Sequence, residues 1–267
     1  MSIPSILLVG CGRMGSAMLA GWREQGLDAS VAVDPAPGAA ASAGPDLAVV
    51  PDIGGISAAF APAAVVFAVK PQNAAETLPL YRRFGGQAVF LSIMAGRTIG
   101  GMRALLGDAA AIVRAMPNTP AAVRQGVTVA CPGTGVAAAQ RTLCERLLQA
   151  IGVVAWVEDE GLLDPVTAVS GSGPAYVFLL AELMEQAARE QGIPPDLARL
   201  LARQTVSGSG ALLAASPEDA AALRVAVTSP GGTTERALAV LMASGAWPAA
   251  LSKAIAEATA RSRELAG

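Results

Sequence analysis

Six short stretches hold residues whose types and spacing could do chemistry. Gly10-Cys11-Gly12-Arg13-Met14-Gly15 has the pattern GxGxxG, follows an apolar run at residues 6–9 and opens a helical pattern. In that context each glycine has a reason. The first permits a tight turn, the second lets the backbone approach a pyrophosphate, and the third lets helix and strand pack closely. The phosphates would rest on free N–H groups at the positive end of the helix dipole. A glycine turn with no ligand is the plainer alternative. Asp34-Pro35 ends the next apolar run, 19 residues after Gly15. An acidic side chain there hydrogen-bonds a ribose 2'-hydroxyl and repels a 2'-phosphate, which favours NADH over NADPH. The alternative is that Asp34 only caps a turn beside prolines, and Arg13 stands close enough in sequence to meet a phosphate.

Ala68-Val69-Lys70-Pro71 and Met116-Pro117-Asn118-Thr119-Pro120 each follow a β-rich run. Ligands of open α/β sheets collect beyond the carboxyl ends of strands, so both loops are placed to line a nicotinamide pocket. Thr228-Ser229-Pro230-Gly231-Gly232-Thr233-Thr234 stands ahead of a helical pattern. Consecutive N–H groups at such a start suit a carboxylate, and the threonines add hydroxyls. A helix start capped by Thr233 or Thr234 would need no ligand at all. Ser170-Gly171-Ser172-Gly173-Pro174 precedes a long apolar helix and reads as a hinge that shapes a pocket. A nucleophilic serine there would need a base, and none is visible.

Composition narrows the chemistry further. The chain of 267 residues has no histidine, and its lysines are Lys70 and Lys253. Ser-His and Cys-His nucleophile pairs, histidine metal sites and histidine general bases are excluded together. The work falls to carboxylates, hydroxyls, backbone groups or a borrowed cofactor. With 53% hydrophobic and 15% charged residues, the composition is that of a globular protein with a large core. A net charge of -2 without a basic cluster argues against a nucleic-acid partner. No uninterrupted apolar stretch approaches the ~20 residues of a spanning helix, so no membrane partner is expected. Cys11, Cys131 and Cys144 lack metal spacing and read as reduced thiols of a cytoplasmic protein.

The elements that must position these stretches change character along the chain. β-rich runs at residues 6–9, 30–33, 64–69, 89–93, 111–115, 127–130 and 153–157 alternate with helical patterns at 14–25, 72–84 and 136–151. Such alternation predicts a mostly parallel sheet with helices on both faces. After residue 158 long helical patterns take over, at 161–170, 174–191, 194–214, 217–226, 234–244 and 247–265. The expected fold is therefore α/β: a Rossmann-like N-terminal domain (1–158), followed by an all-α C-terminal domain (159–267). Residues 175–183 are apolar on nearly every side apart from Glu182. A helix apolar all round must be buried all round, and ~110 residues can hardly surround it, so a homodimer is expected.

GCGRMG, AVKPQ, MPNTP, SGSGPAY and TSPGGTT occur in this order over almost the full length, and together the chain resembles the pyrroline-5-carboxylate reductases. SGSGPAY followed by SPGGTT is the specific part. The resemblance implies reduction of the C=N bond of 1-pyrroline-5-carboxylate to L-proline by hydride from NADPH or NADH. It implies an interlocked dimer through the helical domain, often built up into a decamer. By motif match, Gly10, Cys11, Gly12, Arg13, Met14 and Gly15 would bind the pyrophosphate. Ala68, Val69, Lys70 and Pro71, with Ile93, Met94 and Ala95, would flank the ribose and nicotinamide, with Asp34, Pro35 and Asn118 completing the cofactor site. Ser229, Gly231, Gly232, Thr233 and Thr234 would hold the substrate, and Glu160 matches a ligand-contacting position.

The chain departs from the family in three places. Val225 and Ala226 stand where a polar residue is common, Gly55 or a neighbour where asparagine is, and Asp34 where phosphate-accepting residues are. Since an iminium arrives with its proton, the absence of histidine is no obstacle, and Thr234 is expected to hydrogen-bond the substrate nitrogen. Three other readings compete. A β-hydroxyacid dehydrogenase would need a lysine early in the helical domain, absent here. Reductases of other cyclic imines and a dinucleotide-binding protein without redox chemistry share the layout.

Overall fold

The computed structural model describes residues 2–266. The chain divides into two compact units, one of residues 2–171 with 258–266, the other of residues 172–257. This division marks where contacts separate, whereas the boundary at 158/159 marks where strands give way to helices.

The first unit is built on eight strands: β1 (Ile6–Val9), β2 (Ser30–Val33), β3 (Leu47–Val50), β4 (Ala64–Phe67), β5 (Val89–Ser92), β6 (Ala111–Met116), β7 (Gly126–Pro132) and β8 (Gly152–Trp156). They form one sheet in the order β3-β2-β1-β4-β5-β6-β7-β8. Pairing is parallel throughout except between β6 and β7. The central strands ILLV, AVVF and VFLS are buried at every position, as strands covered on both faces should be. One core cluster centres on Trp22, Met18 and Leu147, the other on Phe67, Tyr81 and Phe90. The chain reverses its direction of travel between β1 and β4, so the crevice beyond their carboxyl ends is the switch point where ligands bind in such sheets.

Helices α1 (Arg13–Glu24), α2 (Ala74–Thr77), α3 (Ile99–Leu106), α4 (Ala138–Gln149) and α5 (Leu163–Val166) belong to this unit. The pattern at 72–84 predicts one helix, but the chain forms 3-10 turns at Pro71–Asn73 and Leu78–Phe84 around the four-residue α2. Pro79 removes a donor that a continuous helix would need. β3 and α3 are absent from the expected elements. β3 is four residues ending against Pro51, and α3 contains Gly100 and Gly101, so both look like loop in a sequence window.

The second unit is helical: α6 (Gly173–Glu190), α7 (Pro195–Ala215), α8 (Ala220–Ala226), α9 (Thr233–Leu241) and the first half of α10 (Trp247–Ala266). Prolines at the starts of α6 and α7 fall where a missing N–H costs nothing. Among the described residues of this unit, only Ala198 and Ala202 are buried. Phe178 is 67% exposed and Leu179 50%, on the helix whose apolar surface calls for burial on all sides. The helical run Glu160–Glu190 is also long and apolar enough, by length and composition, to cross a membrane.

Candidate active site

The glycine loop joins β1 to α1 at the switch point. Gly10 has φ 101, and a Cβ there would come within 2.7 Å of the Ala68 carbonyl oxygen. Neither feature tolerates a side chain. A Cβ on Gly15 would collide with the Gly10 carbonyl, so α1 can approach β1 only because that residue is glycine. Gly12 differs: a Cβ there would meet nothing within 4 Å. Its openness faces outward from the first turn of α1, where Gly12 is the N-cap and no side chain caps the helix. Uncapped N–H groups beside an open glycine make a cradle into which an anion fits. The residues present therefore suit a dinucleotide pyrophosphate. Arg13 and Met14 begin α1, with Arg13 exposed.

Cys11 carries no nucleophile. Burial first, and the nearby Asp34 charge second, push its thiol up to about 11, so it stays protonated at neutral pH. Asp34 has a double task. Its Oδ2 accepts from the Cys11 N–H at 2.6 Å and its Oδ1 from the Ala36 N–H at 2.8 Å. The second bond is the turn cap foreseen as the plainer reading; the first ties the carboxylate to the glycine loop. A carboxylate has about four lone-pair directions, so two remain for ribose hydroxyls. Pro35 is exposed beside it.

Ala68 and Val69 continue from β4 and are half-buried, and Lys70 is exposed. The Ala68 N–H donates to the Val9 carbonyl at 2.8 Å, placing this loop against the glycine loop. Pro71 accepts from Arg97 Nε at 2.9 Å. Ile93, Met94 and Ala95 follow β5, with Met94 buried and Ala95 exposed. The structure thus brings the loops after β1, β2, β4 and β5 to one edge of the sheet. Asn118 is more internal. Its Nδ2 donates to the Ser170 carbonyl at 3.1 Å, and its Oδ1 accepts from the Val127 N–H at 2.9 Å. Its amide fastens the loop after β6 to a π-helical turn at Thr167–Gly171.

Glu160 opens the segment after β8. Its Oε1 accepts from Arg114 at 2.9 Å and from the Ile99 N–H at 2.8 Å. Arg114 is the residue that sequence reasoning missed. The signal was available: one arginine within AIVRAM, an otherwise apolar strand.

The second unit holds the other glycine-rich start. Gly232 is the N-cap of α9, so Thr233 and Thr234 are its first two residues and neither is the cap. No side chain caps this helix start either. Gly231 has φ 72, and its N–H donates to Glu235 Oε2 at 2.8 Å, while the Gly232 N–H reaches the Ser229 carbonyl at 3.0 Å. The glycine N–H groups are thus used within the loop, which leaves the first turn of α9 as the anion-facing part. Thr234 is half-buried; Ser229 and Thr233 are exposed. SGSGP carries one of the two crossings between the units, since one division falls between Gly171 and Ser172 and the other between Glu257 and Ala258.

Known proteins align with this arrangement over its whole length. A family model for pyrroline-5-carboxylate reductase dimerisation matches residues 160–265, and one described as NADP oxidoreductase, coenzyme F420-dependent, matches residues 5–96. The pyrroline-5-carboxylate reductase of Pseudomonas aeruginosa is 38% identical over 269 residues, covering 100% of this chain and 98% of its own. Among solved structures, a pyrroline-5-carboxylate reductase from Coxiella burnetii superposes with a TM-score of 0.90 at 32% identity, covering 100% of both chains. The Plasmodium falciparum pyrroline carboxylate reductase with NADP bound superposes with a TM-score of 0.81 at 25% identity, covering 98% of this chain and 100% of its own.

Proposed function

The chain belongs to the pyrroline-5-carboxylate reductase family, and from that premise we propose how its own residues reduce 1-pyrroline-5-carboxylate to L-proline with NAD(P)H. The observation that carries the reading is 38% identity over the full length, spanning two uncapped, glycine-led helix starts, one at α1 and one at α9. One takes the dinucleotide and the other the substrate carboxylate.

NAD(P)H, when bound, supplies the hydride. Gly10, Gly12 and Gly15 with the first turn of α1 hold its pyrophosphate, and Arg13 adds positive charge nearby. Ala68, Val69, Lys70 and Pro71 with Ile93, Met94 and Ala95 flank the ribose and nicotinamide. Asn118 supports that pocket by holding the loop after β6 in place. The first turn of α9 binds the substrate carboxylate through N–H groups, with Ser229, Gly231, Gly232 and Thr233 shaping the approach. Thr234 hydrogen-bonds the ring nitrogen, which arrives already protonated. No strong acid is needed, which suits a chain without histidine. Residues 1–158 form the dinucleotide-binding domain and 159–267 the helical substrate-binding and dimerisation domain.

Two identical chains share the apolar surface of α6. A second copy, rather than lipid, covers it, because the same residues match a dimerisation model and α7 beside them carries charged side chains. Dimers in turn associate into a decamer. The enzyme works in the cytoplasm, in keeping with three free thiols, and takes neither nucleic acid nor membrane as partner.

The test is initial rates with 1-pyrroline-5-carboxylate and each reduced cofactor, followed at the dihydronicotinamide absorbance. A carboxylate at the end of β2 repels a 2'-phosphate, so turnover is expected to be faster with NADH, and Asp34→Ser to shift the ratio toward NADPH. Faster turnover with NADPH keeps the reaction and removes this role from Asp34. No turnover with either cofactor sinks the reading.

A further inference from the structure

Among the described residues, Arg114 is the only buried charged one. It sits within β6, in register with Ser92, the last residue of β5. Directly after Ser92 comes the turn that carries Ile93, Met94 and Ala95, bends at Gly96 with φ 68, and enters α3 at Ile99. Buried charge in a strand costs free energy unless it is paired, so its retention asks for a partner and a purpose. The partner is Glu160, whose side chain is 29% exposed against 5% for Arg114. One oxygen of that carboxylate accepts from both Arg114 and the Ile99 N–H. It joins β6 to the far end of the turn.

The turn is held from other sides as well. Arg97 within it donates to the Pro71 carbonyl. Gly96 lies against the last turn of α10, where a Cβ would come within 3.1 Å of the Leu265 carbonyl oxygen. Four residues after Glu160, Asp164 accepts from the buried Ser262 hydroxyl of α10 at 2.7 Å. A segment of five residues thus anchors both the start of α3 and the helix packed on Gly96.

We infer that Glu160, in place of the ligand contact that the resemblance implies for it, is a positioning residue: with Arg114 and the Ile99 N–H it fixes the turn carrying Ile93, Met94 and Ala95, and so the seat of the nicotinamide, without contacting the substrate. The inference rests on the assignment of that turn to the nicotinamide made above. It predicts a split between the two ends of the cofactor. The pyrophosphate cradle belongs to another loop, so losing the brace leaves affinity largely intact and misplaces the reacting ring.

The decisive experiment uses the full-length Glu160→Gln and Arg114→Lys proteins. Dinucleotide Kd is measured by titration, the nicotinamide environment by the emission change of NADH or NADPH on binding, and turnover by kcat and KM. A misplaced reacting group costs up to about 100-fold, and for these conservative variants the expected loss in kcat is about 10-fold. KM for 1-pyrroline-5-carboxylate and the dinucleotide Kd stay within about threefold, the emission change is lost, and the double variant falls little below the worse single one, as members of one unit should. A rise in substrate KM of about 10-fold with kcat retained would place Glu160 on the substrate and overturn the inference. So would unchanged kcat and emission in either folded variant. Should one variant not fold, the other carries the test alone. A wild-type protein that binds dinucleotide but turns over no pyrroline carboxylate would defeat the proposed function, while the emission change would still decide the brace.

Discussion

The two units of this chain solve the problem of burial in opposite ways. In the first, the strands and the helices on them close a core in which Trp22, Tyr81, Phe67 and Phe90 are almost wholly buried. In the second, α6 carries Val177, Phe178, Leu179 and Leu183 at the surface, and Trp247 and Leu251 on α10 line a 370 Å³ apolar groove with it. Each large apolar side chain left in water forgoes roughly 1.5–3 kcal/mol. The first unit is complete within one chain, and the second is half of a structure that association finishes. In the proposed reading the dinucleotide cradle and the assembly surface therefore fall to different units, and each can be perturbed separately.

The largest effect tests that contrast directly. Leu183→Arg puts a charge into the apolar groove. Burying an unpaired charge costs far more than one apolar contact yields, so sedimentation should show monomers and turnover should fall by more than about 100-fold. A dimer with full activity would break the comparison. Gly10→Ala strikes the other unit. It forces a side chain into positive φ against the Ala68 carbonyl, at a cost of about 1–3 kcal/mol, and dinucleotide affinity should drop by about 10- to 100-fold with the dimer intact. Loss of the dimer in that variant would mean the units are not separable.

Thr234→Ala removes one hydrogen bond of ~1–3 kcal/mol, so kcat should fall about 10- to 100-fold with dinucleotide Kd unchanged. Near-wild-type rates would take the substrate nitrogen away from Thr234. The smallest effect concerns stability in the first unit. Arg23 hydrogen-bonds Asp46 and holds its carboxyl below the usual value of 3.8, against the opposing pull of burial. A lowered folded pKa stabilises above the unfolded value and loses that contribution as pH falls through the folded one. Both partners are partly exposed, so the loss is under about 1 kcal/mol. Asp46→Asn should flatten the acid limb of a thermal-melt profile below about pH 4 and lower Tm slightly at pH 7. An acid limb identical to wild type would remove Asp46 from the account.

Much of the site was legible in the residues. GxGxxG after an apolar run implies a strand, a turn and a helix, because few other arrangements use glycine at all three positions. The collisions at Gly10 and Gly15 and the open space at Gly12 are the same three reasons seen in space. Asp34 directly follows β2, as the residue pattern implies, whereas its bond to Cys11 bridges two loops and no sequence window shows it. The brace was illegible for a related reason. Arg114, Glu160 and Ile99 are distant in sequence and meet only when β6, α3 and the segment after β8 are packed together.

What the sequence determined by itself is local and periodic: strands buried on both faces, glycines at close approaches, prolines at helix starts, and an α6 too apolar to stand alone. Such features depend on the few residues around them. What only the tertiary structure decided is pairing across distance: the antiparallel step between β6 and β7, the transfer of residues 258–266 to the first unit, the tie from Asn118 to Ser170, and the shared carboxylate oxygen of Glu160. Those rest on which surfaces meet, and a linear pattern records the need for a partner without naming it.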